Sequence, residues 1–151
     1  MSKRISVAVL ALIAGFALYM QRGSIDVPDA GPRDVPAVAI PDDARLREAI
    51  RTRSRDVQVT GSGTVQRVLA DDLRGSRHQR FILRLASGET VLVAHNIDLA
   101  RRLESLDPGE RVDFAGEYEW TGQGGVVHWT HRDPDGRHVD GWLRHAGTLV
   151  Q

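Results

Sequence analysis

Between Arg111 and Trp120, apolar and polar residues alternate: Val112, Phe114, Tyr118 and Trp120 share one parity, while Arg111, Asp113, Glu117 and Glu119 share the other. A period of two is that of a half-buried strand and does not fit a helix. Gly122-Gln123-Gly124-Gly125 then turns the chain into a second strand predicted over residues 126–132, and Asp133-Pro134-Asp135-Gly136 turns it again. All three tryptophans and three of the six histidines lie between Gly116 and Leu143, so site chemistry is sought there first.

The ends of the chain read differently. Met1-Ser2-Lys3-Arg4 is a short basic head, followed by the uncharged run from Ile5 to Met20. At 1.5 Å per residue that run reaches roughly 24 Å, a little short of a hydrocarbon core of about 30 Å. Bulky residues stand at Leu18-Tyr19-Met20, where a signal peptidase needs small ones, so residues 1–22 are expected to be an uncleaved transmembrane signal anchor. Lys3 and Arg4 against Arg22 place the N-terminus in the cytoplasm and the rest in the periplasm, tethered to the inner membrane. Residues 23–41 carry glycines and prolines without apolar periodicity and form a linker.

From residue 42 the chain is expected to fold. Residues 42–56 predict a short helix with Leu46 and Ile50 on one face. Residues 57–151 predict the domain, opening with a long strand bent at Gly61 and Gly63. A hairpin follows over Arg77–Leu85 and Thr90–Asn96, and a two-residue turn at Ser87-Gly88 would oppose Arg80 to His95. Leu99, Leu103 and Leu106 between Asp98 and Pro108 suggest a helix between strands three and four, and a last hairpin turns at Ala146-Gly147. This order is that of a mainly β protein, a small OB-like barrel of five to six antiparallel strands with one inserted helix. With no cysteine in the chain, disulfides, thiolate metal sites and lipid-modified cysteines are excluded, and the core must be held by packing. The formal charge of zero removes the global basic field of a non-specific nucleic-acid binder.

Three segments, LVAHNIDLA (residues 92–100), GEYEW (116–120) and HWTHRDPDGRHVDGWL (128–143), resemble an uncharacterised family of small bacterial membrane-anchored or exported proteins, over residues 57–151. The resemblance implies no activity, since none is assigned to that family.

Two groups of residues carry candidate chemistry. With the turn centred on Pro134-Asp135, His131 opposes His138 and Trp129 opposes Asp140, and Asp133 adds a carboxylate. His131, His138, Asp133 and Asp140 therefore form a candidate metal set for a divalent transition metal such as zinc. The competing reading makes the two histidines hydrogen-bonded members of an aromatic rim. His128 falls on the other face of its strand, across from Glu119, as a surface pair. The second group is His78, Arg80, Arg84, His95 and Asn96 along the β hairpin, a face suited to an anionic ligand or a protein partner. That face has no aromatic side chains on which bases could stack, so nucleic acid is the weaker expectation. No nucleophile elbow, phosphate loop or dinucleotide fingerprint is present. The function expected is a membrane-tethered extracytoplasmic binding or interaction module. The alternative is a metal-dependent hydrolase or nuclease using His131, His138 and a nearby Asp.

Overall fold

A computed structural model describes residues 43–151. The expected anchor and linker lie outside the described residues, and among those described no helix is long and apolar enough to cross a membrane. The elements are α1 (Ala44–Thr52), β1 (Val57–Asp72), β2 (His78–Leu85), β3 (Thr90–Asn96), β4 (Arg111–Thr121), β5 (Gly124–His128), β6 (Trp142–His145) and β7 (Thr148–Val150). The pairings β1–β2, β2–β3, β3–β5, β5–β4 and β4–β1 return to their starting strand, so five strands form a hydrogen-bonded ring.

β1 serves both sides of that ring. Residues 57–64 pair with β4 and residues 63–72 with β2, so the strand changes partner at Gly63-Thr64, and its register against β2 shifts between Val65 and Arg67. A Cβ on Gly63 would sit 2.9 Å from the Arg84 carbonyl, and one on Gly61 2.7 Å from the Phe114 ring. Val59, Val65, Phe81, Leu83, Val91, Val93, Val112, Phe114, Tyr118 and Val127 point inward as one core. α1 closes over it, with Leu46 and Ala49 buried and Ile50 packed against the core. Leu46 stays one helical turn from Ile50, but the inserted residue is Leu46, beside Gly61 and Phe114.

Several expectations are corrected. Five strands form the ring, within the five to six expected, and the terminal hairpin adds β6 and β7; the strands are not all antiparallel, because β3–β5 is a parallel pair. The helix between strands three and four does not form; residues 97–110 are turns and loop. Buried side chains take the main-chain groups a helix would need. Leu103 N–H donates to Gln79 Oε1 at 2.8 Å, and Gln79 Nε2 donates to Leu103 O at 2.9 Å. His95 Nε2 donates to Arg101 O at 3.0 Å. Leu103 and Leu106 are thereby drawn into the core while Leu99 stays exposed.

The β2–β3 register also differs by one residue, with Arg80 opposite Ala94 and Gln79 opposite His95. Leu85 N–H bonds to Glu89 O, which leaves three residues in the loop, with Gly88 at φ +96°. A one-residue slip exchanges the faces of a strand, and His95 accordingly sits in the interior, fully buried. β5 ends at His128, short of the expected Arg132, because Trp129 takes a left-handed backbone at φ 53°. The terminal hairpin turns at Ala146-Gly147, both at positive φ.

Candidate functional site

β4 pairs with β1 along one edge and with two strands along the other: β5 at residues 117–121 and β6 at residues 112–115. Residues 129–141 leave β5 and return to β6 at this junction. Two glycines make the passage possible. A Cβ on Gly116 would lie 2.9 Å from Thr130 Cγ2, and one on Gly141 would lie 2.6 Å from the Ala115 carbonyl.

On β4, Tyr118 points inward, so Glu117 and Glu119 both face outward, two residues apart. The β4–β5 register places His128 directly opposite Glu117 and Val126 opposite Glu119. The ligand atoms of Glu117, Glu119 and His128 all lie within 4.8 Å of one another. Both carboxylates are buried. His128 Nε2 is buried without a hydrogen-bond partner, 3.6 Å from Glu117 Oε1, while His138 Nε2 lies 3.1 Å from Glu117 Oε2. Arg55 Nε stands 3.7 Å from Glu119 Oε1.

Burial sets the protonation of this group. It pushes the His128 imidazole down to about 4, with the neighbouring His138 acting in the same direction, so the ring is neutral at pH 7. Burial, together with the charge of Asp56, raises the Glu119 carboxyl above the ordinary range. A neutral imidazole beside two buried carboxylates is a set of oxygen and nitrogen donors for a divalent cation.

The residues predicted as metal ligands take other partners. Asp133 accepts the main-chain N–H groups of Asp135, Arg137 and His138, and Asp140 accepts that of Asp133. Each carboxylate therefore staples the loop. His131 is buried, and its Nδ1 donates to Arg132 O at 2.7 Å. It does not oppose His138 across a hairpin, because its carbonyl accepts the Gly141 N–H instead. Of the four, His138 alone reaches the carboxylate–imidazole group.

The second predicted face is divided by the register. His78, Arg80 and Arg84 stay outside, with Asn96 opposite His78, while His95 lies inside. His95 accepts from Thr130 Oγ1 at Nδ1, at 2.8 Å, and burial pushes its imidazole down to about 4. It locks the loop after β3 to the segment after β5.

Glu117 and Glu119 were not among the predicted site residues. The alternation between Arg111 and Trp120 already placed them on one face, away from the apolar side chains of the strand. His128 was read as one half of an exposed pair, whereas its ring nitrogen is enclosed.

The chain is thus a mainly β protein with a ring of strands and a buried carboxylate–imidazole group on its outer face. It belongs to the family described as "Protein of unknown function (DUF3465)", matched over residues 33–151. No curated protein matches the chain.

Proposed function

We propose that this protein is a membrane-tethered, extracytoplasmic module on an OB-type barrel, and that it binds a divalent transition metal through Glu117, Glu119 and His128. The ring order β1-β2-β3-β5-β4 and the parallel β3–β5 pair support the barrel reading. The basic head and the uncharged run from Ile5 to Met20 support the tether and its orientation. The observation that carries the metal reading is the buried, unpartnered His128 Nε2 facing two buried carboxylates. Buried polar groups are ordinarily hydrogen-bonded, and an ion held by both carboxylates would supply the partner that the His128 nitrogen lacks.

Three protein ligands leave a position open to water, the arrangement of catalytic zinc, and this keeps metal-dependent hydrolysis as the second reading. Titration of the full, detergent-solubilised chain with zinc, followed by competition with a chelator, tests binding. One tightly held ion per chain is expected; no uptake at neutral pH would end the metal reading. An alkaline phosphatase fusion after Ser24 should be active and remain with membranes, and an inactive fusion would reverse the orientation.

A further inference from the structure

Residues 129–141 carry most of the run HWTHRDPDGRHVDGWL, and the three-residue metal group uses none of them. The loop is rigidly made. Asp133 Oδ2 accepts the His138 N–H at 2.7 Å, and the Trp129 and His138 rings stack at 4.1 Å with 6° between their planes. The His138 ring is therefore fixed through its backbone and through its face. Its Nε2 comes to hydrogen-bonding distance of Glu117 Oε2, 3.1 Å, while Oε1 of the same carboxylate stands 3.6 Å from His128 Nε2.

The two oxygens of Glu117 thus have separate neighbours. His138 lies outside the group whose ligand atoms fall within 4.8 Å of each other. We infer that His138 is a positioning residue for the metal site: its Nε2–H holds Glu117 Oε2, so that Oε1 is turned toward an ion shared with His128 and Glu119. The inference rests on the metal reading above. A metal-bound carboxylate that accepts such a bond is fixed in rotation, and loss of a partner of this kind lowers metal affinity by about 10- to 100-fold. The loop motif then has a purpose: Trp129, Asp133 and Gly141 deliver one imidazole to one carboxylate oxygen.

Two substitutions separate this role from packing. His138→Phe keeps an aromatic ring against Trp129 and removes the donor; His138→Gln keeps a donor and removes the ring. Zinc affinity of the full chain should fall about 10- to 100-fold in the Phe variant and recover most of the way in the Gln variant. The opposite order, or equal affinities in all three proteins, would overturn the inference while leaving the metal reading intact. If wild type takes up no zinc, both fall together. A second measurement does not depend on the variants folding. Nitrogen NMR of the metal-free wild type should find the His138 proton on Nε2, and a proton on Nδ1 alone would overturn the assignment.

Discussion

Two outward faces of the same ring carry similar numbers of charged and imidazole side chains, and they differ in what those side chains touch. On the β2–β3 face each polar group is engaged by nearby main chain. His78 Nδ1 donates to Ser76 O at 2.8 Å, Arg80 Nε to Ala70 O at 2.8 Å and Arg84 to Gly88 O at 3.3 Å. Asn96 Oδ1 accepts the Asp98 N–H at 2.9 Å. On the β4–β5 face Glu117, Glu119, His128 and His138 meet one another. A side chain bonded to its own loop contributes to shape. Titratable groups facing each other away from water contribute a site, because each perturbs the charge of the next.

Substitution at the second face should have the largest effect. His128→Ala and Glu117→Ala are expected to abolish zinc uptake, a loss of more than 100-fold, whereas Arg80→Ala should leave it unchanged. Calorimetric titration of the variants side by side measures this, and equal loss in all of them would erase the contrast between the faces.

The pH dependence of stability in the presence of chelator comes next. The unfolded His95 imidazole takes a proton near 6.5 and the folded one near 4. Between these values the unfolded chain binds more protons, so stability rises with pH. The contribution is complete above pH 6.5 and is lost as the pH falls toward 4, roughly 3 kcal/mol for a shift of this size. His128 acts in the same direction in the metal-free protein. Melting curves from pH 7.5 to 4.5 should show the decline, and a flat profile would mean that His95 is not held neutral.

Gln79→Ala should cost about 2 kcal/mol, because it leaves the buried N–H and carbonyl of Leu103 without their partners. Chemical denaturation measures it. The smallest effect is expected at Arg84, where an exposed guanidinium bonds its own turn; Arg84→Ala should fall within about 0.5 kcal/mol of wild type. A larger loss there would show that the β2–β3 face holds more than its loops.

How much of this was legible in sequence followed the range of the interactions. The long β1, the alternating β4 and the Ala146-Gly147 turn depend on residues close in sequence, and they stand where periodicity and glycine placed them. The β2–β3 hairpin was misjudged by one residue because turn composition does not separate a two-residue from a three-residue loop, and that residue moved His95 from surface to core. The leucines at 99, 103 and 106 have helical spacing, but Gln79, 24 residues before Leu103, claims the Leu103 main-chain groups, and the buried His95 takes the Arg101 carbonyl. The metal set failed to assemble for a related reason. Asp133 and Asp140 are aspartates in a turn, where main-chain N–H groups compete for carboxylates. The site instead draws on hairpin neighbours eleven residues apart, Glu117 and His128, whose register follows from the two-residue Gly122-Gln123 loop; the sequence placed His128 across from Glu119, two residues away.

β4 makes three strand partnerships, and the order of synthesis gives this a kinetic meaning. The β1–β2–β3 meander is made first, with the β1 half that pairs with β4 and the far edge of β3 both unmatched. Open edges of this kind invite pairing between chains. Val57 must wait for Tyr118, and Val91 for Gly125, before the ring can close. Such distant pairings are slow, since loop closure precedes the contacts that reward it. The half-made chain is therefore the species most exposed to pairing between chains, and it stays so until β5 has emerged and the ring can close.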